Sequence, residues 1–230
     1  MKHPQTPPRR TNRSFVIREG RFTNAQKKAF DELWPIYGIP IDDVSKYVSN
    51  DWFIKDQPLI LDVGFGSGDS LLALAQQRPD LNFVGVEVYR PGIGAVLRKI
   101  HLQELENVRV IKADVMQMLR TKFMSNELLG AMVWFPDPWP KTRHHKRRLI
   151  QKEFLLEITR VIQVNGVLHL ASDWQPYVEF MTKNVANVKN LIPTNSSINP
   201  LGLDRPPTRF EQRGLRIGHQ VTDLIYRIEK

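Results

Sequence analysis

Five short runs of mostly apolar residues, each closing on or just before a carboxylate, govern what this chain can fold into. They are Leu59 to Val63 with Asp62 inside it, Asn82 to Val88 with Glu87, Val108 to Asp114, Leu129 to Trp134 with Asp137 just beyond, and Gly166 to Asp173. Nearly continuous apolar character suits strands buried on both faces of a parallel sheet. Between and after the runs lie stripes of helical period: Ile93, Val96, Leu97 and Ile100; Val115, Met118 and Leu119; Ile150, Phe154, Ile158 and Val161; Val178, Met181, Val185 and Val188. These stripes are core faces, and the alternation predicts an α/β fold with helices on both faces of a mostly parallel sheet. In such sheets ligands bind at the carboxyl ends of the strands. That is where the acids fall.

The charge is unevenly spread. The chain of 230 residues has a net charge of +9, yet residues 1 to 28 carry eight basic residues against Glu19, and residues 141 to 152 carry six with no acid. The remainder is slightly acidic, so the two cationic segments point to a polyanionic partner. Neither segment interleaves Trp or Leu with its cations at helical spacing, which argues against a membrane surface. There is no cysteine, which excludes a disulfide framework and a thiolate metal site. His144 and His145 lie among cations without a carboxylate at ligand spacing, so no metal is expected. With neither a leader-like apolar segment nor a membrane-length run, the reading is a soluble, cytoplasmic protein.

The first strand runs into Gly64-Phe65-Gly66-Ser67-Gly68 and then Ser70 to Gln77. Glycines permit a tight turn and let a ligand touch backbone, while the following helix start offers free N–H groups. Asp69 stands where a dinucleotide fingerprint would have its third glycine. Asp62 tips the choice further, because a carboxylate beside the loop repels a pyrophosphate but attracts the ammonium and sulfonium of S-adenosylmethionine. Glu87, about twenty residues past the loop, is placed to accept from ribose hydroxyls. Asp114 is placed to accept from an adenine amine.

The segment Phe135-Pro136-Asp137-Pro138-Trp139-Pro140-Lys141 holds an acid between two prolines, whose fixed φ leaves the carboxylate little freedom. Arg143, His144, His145, Lys146, Arg147 and Arg148 follow at once, as candidate contacts to RNA phosphates. At the N-terminus, residues 1–21 form a basic, Pro-rich tail that cannot bury enough surface to order itself, and residues 22–230 form one domain. A helix is expected from Ala25 to Trp34, capped by Thr23 or Asn24 and stopped by Pro35. Residues 190 to 207 read as loop, and Leu224, Tyr226 and Ile228 alternate as a late antiparallel strand.

Taken together, Asp62-x-Gly-x-Gly-x-Gly, Glu87, Asp114, Phe135 to Lys141 with its Arg-His-His-Lys-Arg-Arg run, Asp173 and Thr208-Arg209-Phe210-Glu211 resemble the bacterial tRNA (guanine-N7-)-methyltransferases. The resemblance runs from about Arg18 to the last strand. It implies a Rossmann-like, seven-stranded methyltransferase sheet with a late antiparallel strand, and methyl transfer from S-adenosylmethionine to N7 of a guanosine in the tRNA variable loop. By the same resemblance Asp62, Gly64, Gly66, Gly68, Glu87, Asp114 and Asp137 line the cofactor site, and Lys141, Asp173, Thr208, Arg209, Phe210 and Glu211 meet the substrate. The partner is tRNA, with no obligate protein partner. Many relatives have Glu at the place of Asp62 and Lys at the place of Arg209. The second change keeps charge but alters shape.

The chemistry can also be read from the residues. Guanine N7 carries an in-plane lone pair and no proton, so attack on a sulfonium methyl needs alignment more than a base. Positive charge then grows on the purine, and an anion near its N1–H and amino edge stabilises the transition state more than the ground state. Asp137 is the candidate for that role, with Glu211 and Asp173 as further edge acceptors. Trp139 or Phe210 could receive the face of a base swung out of its stack. Two other readings share these features: an exocyclic-amine methyltransferase, because Asp137-Pro138-Trp139 distantly resembles an Asp-Pro-Pro-aromatic motif, and a non-catalytic RNA-binding module on the same fold.

Overall fold

The structure is a computed structural model and describes residues 22–41, 52–194, 199–207, 211, 218 and 220–230. The basic tail, Thr208, Arg209 and Phe210 lie outside the described residues.

The chain opens with helix α1 (Asn24–Tyr37), whose N-cap is Thr23. Thr23 Oγ1 accepts from the Gln26 amide at 3.2 Å while Gln26 Oε1 accepts from the Thr23 amide at 3.0 Å, a reciprocal arrangement that satisfies two otherwise orphaned donors. The helix does not stop at Pro35, as the sequence reading expects, but carries it in its last turn. Pro35 is exposed, so water can solvate the one carbonyl it leaves without a donor. Phe30 and Trp34 stack at 5.0 Å, and Tyr37 Oη bonds His101 Nδ1 at 3.3 Å. Those contacts hold the turn beyond the proline.

Among the described residues, eight strands form one sheet in the order β1-β4-β3-β2-β5-β6-β8-β7. They are β1 (Gly38–Ile39), β2 (Leu59–Val63), β3 (Asn82–Glu87), β4 (Val108–Lys112), β5 (Leu128–Trp134), β6 (Ile162–Ser172), β7 (Leu191–Pro193) and β8 (Thr222–Ile228). β1 to β6 pair in parallel, whereas β8 pairs antiparallel with both β6 and β7. The five runs ending in acids are β2 to β6. The expected count of seven is exceeded by one, because the two-residue β1 adds to β4. β7 lies in the stretch read as loop, where its three residues and terminal proline suit only a sheet edge. β6 also begins four residues before Gly166, across a register shift against β5, in a polar Gln163-Val164-Asn165 lead that gives no strand signal.

Helices α2 (Asp69–Gln77) and α3 (Arg90–Leu102) join α1 on one face, over a core that includes Leu71, Phe83, Ile93 and Leu97. Helices α4 (Val115–Thr121), α5 (Lys152–Val161) and α6 (Gln175–Val185) cover the other, over Val84, Met118, Phe154 and Tyr177. Every residue of β2 is buried. With both faces covered, a non-alternating apolar run is the pattern such a strand requires.

α1 reaches α3 only because Gly94 has no side chain: a Cβ there would stand 2.5 Å from the Gln26 carbonyl oxygen. Gly94→Val should push α1 off and cost about 1 to 3 kcal/mol, read as a lower urea midpoint. An unchanged midpoint would show the helix pair to be loosely held.

Candidate active site

The strand order reverses about β2. The chain winds from β2 through β3 to β4 on one side, then returns to lay β5 on the other side of β2. Loops leaving β2 and β5 therefore diverge and open a cleft at their carboxyl ends. A cavity of about 280 Å³ fills it, lined among others by Asp62, Gly64, Gly66, Glu87, Val115 and Asp137.

Gly64, Gly66 and Gly68 have φ of 76°, 56° and 71°, a region that side-chain-bearing residues seldom enter. A Cβ at Gly64 or Gly66 would meet nothing within 4 Å. At these two positions the backbone borders open space, as a cradle for a ligand does. Gly68 is not among the cavity-lining residues, and a Cβ there would come within 2.3 Å of Val96 Cγ2. Its smallness lets α3 pack against the loop.

Asp62 is 4% exposed. Burial first, and the Glu87 charge second, push its carboxyl up to about 7. Glu87 accepts from the amides of Val88 at 2.7 Å and Tyr89 at 3.1 Å through Oε1, and from Gly66 at 3.2 Å through Oε2, so it ties the glycine loop to the end of β3. Two carboxylates so close in a poorly hydrated cleft favour a cationic ligand. Asp114 caps α4, accepting from the Met116 amide at 2.8 Å, and it is its neighbours Ala113 and Val115 that line the cavity.

Beyond β5 the backbone is strained at both ends of the Pro-Asp-Pro-Trp segment, with φ of 54° at Phe135 and 45° at Trp139. Such conformations persist only where the surroundings over-determine them. The Phe135 amide donates to the Ala171 carbonyl at 2.8 Å, and Arg148 Nε donates to the Pro138 carbonyl at 2.9 Å. Arg148 therefore departs from the expected phosphate contact. It is 3% exposed, with its guanidinium 5.1 Å from the Tyr177 ring and 4.7 Å from that of Phe180. The last cation of the run holds the loop that carries Asp137.

The rest of the run forms a 3₁₀ helix (Thr142–Arg147) with Lys141, Arg143 and Lys146 exposed. Arg147 lies over the Trp139 ring at 5.1 Å, and His144 meets it edge-on at 5.9 Å. One face of the indole is thus used within the chain. Partial desolvation, and then the charges of Arg143, Arg147, Lys141 and Lys146, lower the His144 pKa, so at neutral pH this imidazole adds little to the positive patch. His145 is half-buried and lies beside Phe180. Asp173 follows β6 at the same sheet edge as Asp137, half-buried.

A polar chain that the sequence reading missed, buried at Asn199 and His169 and partly exposed toward Asp223, stands behind this edge. Asn199 Nδ2 lies 3.4 Å from His169 Nδ1, and His169 Nε2 lies 2.7 Å from Asp223 Oδ1. Arg205 grips Asp223 with Nε at 2.9 Å and Nη2 at 3.1 Å, and Glu211 with Nη1 at 2.6 Å and Nη2 at 3.0 Å. Burial alone would raise the Asp223 carboxyl, but hydrogen bonds from His169 and Arg205 outweigh it and hold it well below the usual range. The one available signal was His169 itself, a polar residue inside an apolar strand, which must find a partner.

Residues 56–224 match the model of a family described as "putative methyltransferase". The chain is 41% identical over 219 residues to the tRNA (guanine-N(7)-)-methyltransferase of Methylobacillus flagellatus, covering 95% of this chain and 92% of that one. It is 41% identical over 224 residues to the enzyme of the same name from Stutzerimonas stutzeri, covering 96% and 94%. The chain belongs to the tRNA (guanine-N(7)-)-methyltransferase family. Its fold also superposes on the solved structure of an antibiotic-related methyltransferase with a TM-score of 0.59, at 14% identity, over 82% of this chain and 97% of that one. Among the described residues no helix is long and apolar enough to cross a membrane, and no cluster of His, Asp and Glu could hold a metal ion.

For a methyltransferase whose cofactor is S-adenosylmethionine, Asp62 carries a stability cost. Its pKa lies above the ordinary 3.8, so the stability of the neutral carboxyl is full below that value and is lost as pH rises through about 7. Asp62→Asn should stabilise the ligand-free protein at pH 8 by up to about 4 kcal/mol, with the gain shrinking toward pH 5. Cofactor affinity should fall on the order of tenfold or more. Thermal unfolding across pH with calorimetric titration checks both, and an equal gain at pH 5 and pH 8 would remove the burial argument.

Proposed function

We propose that this chain transfers the methyl group of S-adenosylmethionine to N7 of a guanosine in tRNA. The observation that carries the reading is the meeting, across the β2 and β5 switch point, of a buried carboxylate and glycine cradle with a strained loop that presents Asp137 next to an exposed cationic helix. A cation-binding half and an RNA-facing half share one cleft.

The residues fit the cofactor. Asp62 would face its ammonium and sulfonium, Glu87 its ribose, the backbone at Gly64 and Gly66 would lie against it, and the Ala113 to Val115 turn would border its adenine. Bound there, the cofactor would supply an electrophilic methyl group, its carbon–sulfur bond giving way to a bond to N7 so that a neutral thioether and a cationic purine would result. Asp137 supplies negative charge that gains value as the purine becomes cationic. Strain at Phe135 and Trp139, held by the Ala171 and Arg148 bonds, fixes that carboxylate before the substrate arrives. Lys141, Arg143 and Lys146 bring phosphates to the cleft mouth, and Asp173 and Glu211 accept from the guanine edge.

Two sets of variants test this. Arg143→Gln and Lys146→Gln should each flatten the dependence of tRNA affinity on salt by about one released counterion, whereas Arg148→Met should leave the slope unchanged and slow methyl transfer. A reduced slope for Arg148→Met would return that residue to the phosphate-binding set. Asp137→Asn keeps shape without charge and should cut single-turnover transfer by about a hundredfold or more while sparing tRNA affinity. A tRNA carrying 7-deazaguanosine at the target lacks the nucleophile and should be inert. Methylation of that analogue would instead indicate an exocyclic-amine enzyme.

A further inference from the structure

We propose that Arg205 is a positioning residue for the methyl-accepting base, acting through Glu211 on one side and Phe135 on the other. The inference rests on the reading of Glu211 as a guanine-edge acceptor.

The Arg205 side chain is 8% exposed and engages two carboxylates, one along each edge of its planar fork. Bidentate pairing of this kind fixes direction as well as distance. Asp223 sits on β8 opposite Ala171 of β6, and its Oδ1, which accepts from Arg205 Nε, is also bonded to His169 Nε2. Through Arg205, therefore, Glu211 is fastened to the sheet although it is not part of a strand. A glutamate left alone there would lose rotamer freedom only when substrate arrived, and that cost would come out of binding. Here the ordering is already done. As a carboxylate, Glu211 offers a base only hydrogen-bond acceptors.

The same guanidinium lies 5.3 Å from the centre of the Phe135 ring. Phe135 opens the segment that carries Asp137 and has the positive φ that aims it. One side chain thus sets the places of two carboxylates that approach the purine, Glu211 directly and Asp137 through Phe135. Stability does not account for the arrangement, because an ion-pair network withdrawn from water is often no more stable than apolar residues of the same volume. Positioning does account for it.

The experiment is a double-mutant cycle in methyl transfer to tRNA by the full chain, using Arg205→Lys, Glu211→Gln and both together. Lys keeps the charge and loses the fork, so it separates geometry from electrostatics. Arg205→Lys should lower kcat by about ten- to a hundredfold, with KM for tRNA and the dissociation constant of S-adenosylmethionine nearly unchanged. Added to Glu211→Gln it should cost little more. Losses that add in full, or that fall equally on KM, kcat and cofactor affinity, would mark Arg205 as a general scaffold residue and overturn the proposal. If Glu211→Gln is slow while Arg205→Lys is normal, only the role of Arg205 fails. If Glu211→Gln has full kcat, the reading of Glu211 fails and the proposal with it. Should Arg205→Lys not fold, the cycle is run with Asp223→Asn, which keeps shape and loosens the anchor. It should show the same non-additivity with a smaller loss, and full additivity there overturns the proposal equally.

Discussion

The reversal of strand order at β2 is the constraint on which the rest depends. Parallel strands need crossover helices, and a sheet wound first one way and then the other sends those helices to opposite faces. At the seam the loops after β2 and β5 part, and no side chain of the core fills the gap. Asp62, the glycine turn and the Pro-Asp-Pro-Trp segment reach one cleft because β2 and β5 are neighbours, although some seventy residues of sequence separate them. Glu87 comes from the strand beside β2 and closes onto Gly66.

Several features of the cleft oppose folding. A carboxyl pushed up to about 7 by burial destabilises the empty protein at neutral pH, and positive φ at Phe135 and Trp139 adds strain on the order of 1 to 3 kcal/mol for each residue. These costs are met by the surroundings: a fully buried β2 between strands with one partly exposed residue each, a guanidinium packed on Tyr177 and Phe180, and the polar chain from Asn199 to Glu211. Rigidity there serves reaction geometry. Attack by an aromatic lone pair needs alignment more than proton transfer, so the protein contributes mainly by holding charges still.

The basic run shows how a stretch uniform in sequence divides in space. Lys141, Arg143 and Lys146 face solvent, Arg147 lies on Trp139, and Arg148 turns inward to a carbonyl. Five residues of one apparent purpose serve three. Cations recognise phosphate wherever they are exposed, but exposure depends on which side of a short helix faces the protein.

Much of the architecture was legible because its signals are local. Non-alternating apolar runs require two covered faces, helical stripes require one, and prolines and glycines mark turns by their own dihedral limits, so β2 to β6, the six α-helices of the described residues and the placing of Asp62, Glu87 and Asp137 followed from spacing. The α1 terminus misled because Pro35 is exposed and packing upstream outweighs its missing donor, and β7 went unseen because three residues at a sheet edge have no period. Gly68 and Asp114 lie where the spacing puts them, and the structure adds that the glycine admits a neighbouring helix and that the aspartate caps one. What the amino-acid sequence determined by itself was the order of elements and the chemistry carried to each strand end. Tertiary structure alone decided that Arg205, Asp223 and His169 form one network beneath Glu211, because those residues lie on separate elements and only an antiparallel β8 beside β6 brings their polar atoms within bonding distance.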